Sequence, residues 1–220
     1  MTTHTTFAAC AAAVSMALLA GPALAQGAQA APAQPPAGKY YMDPSHSTVV
    51  LRVSHLGFSN YTMSFAKVEG TLTFDPANPA AMTVEATIDP ASLTLPAPPA
   101  GFHATITGKG WLDAGAFPKI TFRSTKVEPT GPRTAKVSGD LSFHGVTKPV
   151  TIEATYNGGW AKNAFDGDRV GFSGKGVLTR SEFGVASGIP APGSTMGVSD
   201  AVDFVIETEF SSNPPAARAA

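Results

Sequence analysis

The sequence is poor in cysteine, in tryptophan and in charge. It contains one cysteine, two tryptophans and 14% charged residues among its 220 positions. One cysteine allows no disulfide framework within the chain. The formal net charge of −1 leaves no basic excess to attract the phosphates of a nucleic acid or an anionic membrane surface. We therefore expect no nucleic-acid partner.

Motifs of the common catalytic and metal-binding sites are also missing. There is no G-x-S-x-G elbow, phosphate-binding loop, G-x-G-x-x-G turn or H-E-x-x-H helix in the sequence. The histidines His46, His55, His103 and His144 are scattered, and the cysteine, Cys10, lies in the first apolar stretch. We expect no catalytic residues, no metal site and no cofactor.

The long apolar run of the chain is at its N-terminus. Residues 7–24 are apolar and rich in alanine, and Ala23-Leu24-Ala25 fits the small-x-small pattern that signal peptidase accepts. We predict that residues 1–25 are a cleaved signal peptide and that the protein is exported to the periplasm. The segment before Phe7 lacks the usual lysine or arginine. An uncleaved anchor is the alternative, which Pro22 and the missing flanking charges disfavour.

Two segments have the composition of disordered chain. Residues 26–39 and 212–220 consist largely of alanine, proline, glutamine and glycine, which bury too little apolar surface to offset the entropy lost on ordering. We predict a disordered linker over 26–39 and a disordered tail over 212–220. The remaining residues, 40–211, suffice for one domain.

The folded segment shows period-two hydrophobicity and many turn residues. In residues 47–55 the side chains Val49, Leu51 and Val53 fall on one side of a strand. Helical periodicity is sparse, with a turn at 90–94 and one short helix predicted at 110–116. We predict an all-β fold, an antiparallel β-barrel of about eight strands with one short helix. The other strand candidates are residues 71–74, 82–88, 119–125, 135–143, 150–156, 170–179 and 202–210.

Several motifs, in order along the chain, resemble the YceI-like family. They are Y-M-D-P-S-H-S at 41–47, L-R-V-S-H-L-G at 51–57, G-T-L-T-F-D-P at 70–76, F-P-K-I-T-F at 117–122, G-D-L-S-F-H-G-V-T-K-P-V at 139–150, L-T-R-S-E-F-G at 178–184 and S-D-A-V at 199–202. The resemblance covers nearly all of residues 40–210. The P-A-P-P-A-G-F-H segment at 96–103 departs from the family, which usually has a more polar segment there, and leaves that loop's shape open.

The resemblance implies an extended, lipocalin-like antiparallel barrel. Its apolar tunnel is expected to bind a long-chain polyisoprenoid lipid, such as an isoprenoid quinone or a polyprenyl phosphate, and to carry or sequester it. The alternative is a periplasmic accessory of a redox or stress-response system that docks to a membrane partner such as a cytochrome b561-type protein. An enzyme acting on an isoprenoid is a third reading, for which the sequence has no nucleophile and base. Transient membrane contact is expected, and the oligomeric state stays open.

Apolar residues on the alternating sides of the predicted strands are candidates for the tunnel wall. For each of them, ordinary core packing is the alternative. The candidates are Val49, Leu51, Val53, Phe74, Phe122, Leu141, Phe143 and Leu178.

His55 and Arg180 each extend an apolar alternating series with a polar group. A charge inside a barrel is costly unless it is paired or solvated. Arg180 either donates to a phosphate or quinone oxygen, or pairs with Glu182, Asp200 or Asp203 and holds the closing strands. His55 either faces the tunnel or has a structural role.

Trp111 and Phe183 are expected to line or close an end of the tunnel, with core packing as the alternative. Gly174 and Gly176 remove side chains from one face of their strand. This allows close backbone approach, a bend, or room for a ligand.

Overall fold

The structure is a computed structural model that describes residues 33–163 and 167–215. The predicted signal peptide, residues 26–32 of the predicted linker and residues 216–220 of the predicted tail lie outside the described residues. Within the described ranges, no helix is long and apolar enough to cross a membrane.

The described residues form one antiparallel sheet of eleven strands and a single short α-helix. Four short 3₁₀ turns lie at residues 44–46, 79–81, 90–92 and 180–183. The helix is α1, Phe102–Thr107. The strands are β1 Gly38–Met42, β2 Thr48–His55, β3 Ser59–Phe65, β4 Val68–Phe74, β5 Thr83–Ile88, β6 Leu93–Thr94, β7 Ile120–Gly131, β8 Thr134–Phe143, β9 Val146–Asn163, β10 Gly167–Thr179 and β11 Val198–Ser211.

Tight turns connect several neighbouring strands. The β8–β9 hairpin turns at His144-Gly145, and both residues have a positive φ, of 51° and 77°. Leu56 and Gly57 have φ values of 55° and 73° at the start of the β2–β3 turn. A pair of left-handed residues matches the twist of the strands it joins and favours antiparallel pairing.

The sheet closes on itself through β1. The order is β1-β4-β5-β7-β8-β9-β10-β11, and β1 also pairs with β11. Strand β11 pairs with β2 as well, and β3 and β6 continue from β2. The result is a closed antiparallel barrel of eight strands with a three-stranded extension, which confirms the predicted all-β, lipocalin-like barrel.

Each of the eight predicted strands overlaps an observed strand, but three strands were not predicted. They are β1, β3 and β6. The predicted helix at 110–116 is wrong, since the structure has turns there and places α1 at Phe102–Thr107. The predicted turn at 90–94 contains the 3₁₀ turn over residues 90–92.

The described parts of the predicted linker and tail contact the barrel. Pro35 is fully buried, and the carbonyl of Ala33 accepts a hydrogen bond from the N–H of Ala161 at 2.9 Å. Strand β1 begins at Gly38, before the predicted boundary. In the tail, the N–H of Ser212 donates to the carbonyl of Asp168. These backbone hydrogen bonds and the burial of Pro35 hold residues 33–39 and 212–215 against the strands. The structure therefore shows ordered chain at these positions, where the sequence predicted disorder.

Candidate functional site

The strand register defines an inner face of the barrel. Residues directly opposite each other in an antiparallel pair lie on the same face of the sheet. Val49 on β2 is opposite Ile206 on β11 and Phe65 on β3, and Ile206 is opposite Gly174 on β10. Val49 and Phe65 are buried core residues. We call this side of the sheet the inner face.

One part of the barrel interior holds an aromatic cluster, the Tyr40 cluster. Phe74 contacts the rings of Tyr40, Tyr156 and Phe172 at centroid distances of 5.6, 5.9 and 6.4 Å, and Phe172 contacts Phe210. The hydroxyl of Tyr40 donates to the carbonyl of Pro36 at 2.7 Å. Burial, with smaller contributions from Asp168 and Tyr156, raises the pKa of Tyr40 to about 12. These residues close the interior beneath residues 33–38.

A second cluster, the Phe183 cluster, lies beyond the other end of β10. The rings of Phe143 and Phe183 are 5.5 Å apart, and His144 lies 4.6 Å from Phe117. The Nδ1 atom of His144 is 3.1 Å from the carbonyl of Phe183 and donates to it, because a carbonyl oxygen can only accept. Phe183 is 1% exposed. This end of the interior is therefore packed by the β8–β9 turn and the 3₁₀ turn that follows β10.

Between the two clusters the inner face is apolar but incompletely buried. From Phe172 to Leu178 the strand covers about 20 Å at roughly 3.3 Å per residue. In a filled barrel, inward-facing side chains are close-packed and shielded from solvent. Here several inner-face residues are only half-buried, although Val49 and Phe204 beside them are buried. The half-buried residues are Val84, Ala86, Leu141, Val150, Ile152, Leu178 and Ile206 on the barrel strands, and Leu51 and Met63 on the adjoining β2 and β3.

Small residues lie side by side in one part of this middle region. Ala135, Ala154 and Gly174 are opposite one another across β8, β9 and β10. A Cβ at Gly174 would lie 3.0 Å from Ile152, and one at Gly176 would overlap the ring of Phe204. The two strand glycines therefore allow neighbouring side chains to approach the backbone closely, which is the first of the alternatives that the sequence left open.

The predicted wall residues divide into a packed group and a half-buried group. Phe74 and Phe143 belong to the two aromatic clusters, and Val49 and Val53 are also buried. All eight candidates lie on the inner face, as their register or their place in the core shows. The half-buried group, which has surface left for a ligand, is Leu51, Phe122, Leu141 and Leu178.

Arg180 is buried and hydrogen-bonded to the backbone. It is 5% exposed, its Nε donates to Ser199 O and its Nη2 to Val198 O, both at 2.9 Å. Its Nη1 donates to Val185 O at 2.9 Å and to Ser187 O at 2.8 Å. Burial lowers the pKa of Arg180. Four of its five N–H groups thus hold the loop after β10 against the start of β11. This favours the structural role of Arg180. Its hydrogen-bond partners are backbone carbonyls, whereas the sequence analysis expected the carboxylate of Glu182, Asp200 or Asp203.

The remaining polar and aromatic candidates lie outside the middle region. His55 ends β2 opposite Ser59 and is exposed. The indole of Trp111 lies against the guanidinium of Arg180, whose Cζ is 5.4 Å from the ring centroid. A Cβ at Gly188 would be 3.4 Å from Trp111. Trp111 therefore packs on the same loop as Arg180, and Phe183 packs on Phe143.

Lys148 is a residue that the sequence reasoning missed. It is opposite Leu141, and Leu141 is opposite Phe122, so all three lie on the inner face. The predicted strand began at Val150 and so did not include Lys148, whereas β9 begins at Val146. The alternation of Val146, Lys148 and Val150 is the signal that could have placed this lysine on the face of the two valines.

An ion-pair cluster joins β1, β10 and β11 on the outside of the barrel. Arg169 donates to Asp43 at 2.8 Å and to Glu209 at 2.5 Å, and His46 is 2.9 Å from Asp43. Burial opposes ionisation of the Asp43 carboxyl, yet hydrogen bonds from His46, Arg169 and the Ser45 N–H lower its pKa to about 2. Asp43, His46 and Glu209 are close enough to share a metal ion. Arg169 already donates to both carboxylates, which favours a structural link between the strands.

Comparisons with known proteins agree with this architecture. The profile of the YceI-like domain matches residues 40–210. A UPF0312 protein of Pseudomonas syringae pv. tomato is 38% identical over 193 residues, which cover 87% of this chain and 94% of that protein.

Two solved structures share the fold. The crystal structure of Burkholderia cenocepacia BcnA aligns with a TM-score of 0.64 at 28% identity, over 76% of this chain and 98% of that one. A polyisoprenoid binding domain from Saccharophagus degradans, implicated in plant cell wall breakdown, aligns with a TM-score of 0.58 at 11% identity, over 79% of this chain and 98% of that one. The match over residues 40–210 and the Pseudomonas relative together show that this chain belongs to the YceI-like family.

Proposed function

We propose that this protein binds one long-chain polyisoprenoid lipid in the interior of its barrel and thereby sequesters or carries it. The observation that carries the proposal is the half-buried apolar band between the Tyr40 cluster and the Phe183 cluster. Apolar side chains that face inward without full burial leave hydrophobic surface that a ligand would cover.

The physical driving force suits a long hydrocarbon chain. Each CH₂ group that leaves water contributes about 0.8 kcal/mol. Part of this gain is offset by the ordering of the lipid and by its solubility in a membrane. An isoprenoid offers many such groups and few polar ones, and the middle band offers Leu51, Leu141 and Leu178 as apolar contacts. Binding of this type needs no catalytic group.

A structural relative of this chain has a related activity in its description. The Saccharophagus degradans domain is described as polyisoprenoid binding, and it shares the barrel fold with this chain. Because the two sequences are 11% identical, the comparison shows a shared fold and not a shared ligand. The argument for a lipid in this chain therefore depends on its own inner face.

We also propose that the protein acts in the periplasm, where an exported carrier has access to membrane lipids. The support is the apolar N-terminal segment with its Ala23-Leu24-Ala25 pattern. The alternative role, docking to a membrane redox partner, predicts a fully packed barrel. The half-buried middle band favours lipid binding over that alternative.

A substitution that fills the middle band tests the proposal. Ala154 lies between Ala135 and Gly174 on the inner face, and Thr155 is its exposed neighbour on the outer face. Ala154→Phe should displace about two to three CH₂ groups of the ligand, which corresponds to roughly tenfold or greater loss of affinity. Thr155→Phe adds the same ring outside and should leave affinity unchanged.

The measurement is equilibrium binding of a polyprenol presented in vesicles to the purified variants, with thermal unfolding as the check on folding. Equal affinities of the two folded variants, or no polyprenol binding by the wild-type protein, would contradict the proposal.

A further inference from the structure

Lys148 has an unusual place for a cation. It is on the inner face of β9, in a row that runs across four strands from Ala86 through Phe122 and Leu141 to Lys148. Its neighbours on the same face of β9 are Val146 and Val150, both of which pack against the core. The side chain therefore leaves the backbone among apolar groups.

Other strand cations point to the outside. Lys175 on β10 is opposite Glu153 on β9, and the two form an exposed ion pair at 3.4 Å. Arg123 pairs with Glu85 at 3.4 Å in the same way. Within the described strands, Lys148 is the one lysine or arginine whose register places it on the inner face. A cation on an apolar face costs free energy unless water or an anion compensates it.

Lys148 also lies beside a part of the barrel wall where β9 and β10 are not paired. The paired residues of β9 and β10 end at Glu153 and Lys175, although β9 begins at Val146 and β10 continues to Thr179. Over this stretch no paired residues join the two strands in the described chain. Lys148 is on the β9 side of this unpaired seam, close to the end of the middle band.

The ammonium group of Lys148 is not held by a hydrogen bond in the described structure. Its Nζ is 3.9 Å from Oε2 of Glu182, which belongs to the 3₁₀ turn after β10, and the two side chains are 40% and 55% exposed. By comparison, Lys126 and Glu128 approach to 2.8 Å. A separation of 3.9 Å leaves the three N–H donors of the ammonium group available to another acceptor.

We propose that Lys148 binds the anionic head group of the lipid, a phosphate ester, at the seam between β9 and β10. The inference rests on the proposed lipid-binding function and adds to it the chemical class of the head group. A phosphate carries one to two negative charges at neutral pH and accepts charge-assisted hydrogen bonds from an ammonium group. Arg180 is buried, and four of its five N–H groups are bound to carbonyl groups, so it does not fit this role.

The position of Lys148 fits an amphipathic ligand. Leu141 and Val150 provide apolar contacts beside it for the first part of a chain, and the seam provides solvent access for a charged group. Glu182 would compete with the head group for the same cation. Its removal should therefore strengthen the binding of a phosphate.

The test compares polyprenyl phosphate, the matching uncharged polyprenol and inorganic phosphate as ligands of the full chain. Lys148→Met removes the charge and keeps a linear apolar side chain, Lys148→Arg keeps the charge, and Glu182→Gln removes the competing carboxylate. The matched control is Lys175→Met, which removes an outward-facing cation from the adjacent strand. Thermal unfolding of each variant verifies that it is folded.

We expect the wild-type protein to bind polyprenyl phosphate roughly 10- to 100-fold more tightly than polyprenol, the scale of a charge-assisted hydrogen bond. Lys148→Met should abolish this advantage and leave polyprenol affinity unchanged within about threefold. Lys148→Arg and Lys175→Met should retain the advantage, and Glu182→Gln should increase it.

Three results would overturn the inference. If wild-type protein binds polyprenol and polyprenyl phosphate equally, the head-group contact is absent while the lipid-binding function stands. If inorganic phosphate binds at Lys148 and the lipid phosphate gains nothing over polyprenol, the lysine is a site for free phosphate. If the wild-type protein binds neither lipid, the proposed function fails and the inference fails with it.

Discussion

Replacement of Arg180 by methionine should destabilise the barrel without distinguishing between lipid ligands. The guanidinium donates four hydrogen bonds to the carbonyls of residues 185, 187, 198 and 199. Each buried carbonyl left without a donor costs about 1–3 kcal/mol. Because the loop can relax and admit water, we expect a net loss of about 3–5 kcal/mol, the range for breaking a buried charged contact.

The assay is thermal unfolding, combined with binding of a neutral and a phosphate-bearing polyisoprenoid. For a domain of this size, about 1 kcal/mol shifts the midpoint by roughly 2–4 °C, so the midpoint should fall by roughly 6–20 °C. Arg52→Met, which removes an exposed arginine from β2, should leave the midpoint nearly unchanged. An Arg180→Met variant with wild-type stability and a selective loss of phosphate-lipid binding would refute the structural role and restore the head-group role.

Three further predictions concern stability and processing. Because the pKa of Asp43 falls from 3.8 in the unfolded chain to about 2 in the folded protein, its ion pair should contribute about 2 kcal/mol above pH 4 and lose it as the pH falls towards 2. The stability difference between wild type and Asp43→Asn in urea unfolding should therefore shrink over this range, and a constant difference would contradict the assignment. Gly176→Ala should cost about 1–3 kcal/mol, because its Cβ would overlap Phe204, whereas Gly171→Ala has 3.9 Å of clearance and should cost less in the same assay. N-terminal sequencing of the mature periplasmic protein should begin at or near Gln26, and a full-length cytoplasmic product would refute export.

Most of the barrel could be predicted from the sequence, because its long strands alternate clearly. Strands β8, β10 and β11 were located within a few residues of their observed bounds. Strand β3 was missed because it begins with the polar residues Ser59 and Asn60. Its outward-facing residues are also polar, so its sequence resembles that of a loop. Strand β1 is only five residues long and depends on pairing with β4 and β11, which are distant in sequence.

The candidate site could be predicted only in outline. Alternation correctly placed the eight wall candidates on the inner face, but it could not show that Phe74 and Phe143 are packed into clusters while Leu141 remains half-buried. That distinction depends on packing between strands far apart in sequence. The partners of Arg180 were missed for the same reason, since its carbonyl acceptors lie on a loop whose shape has no sequence signature.

The most direct test of the central claim is the lipid content of the purified protein. Mass spectrometry of the intact protein and of its organic extract, after incubation with a mixture of polyisoprenoids, measures how many lipid molecules each chain holds. The account predicts one polyisoprenoid per wild-type chain and little or none in folded Ala154→Phe. A wild-type barrel that stays empty under these conditions, or one that holds as much lipid after Ala154→Phe, would contradict it.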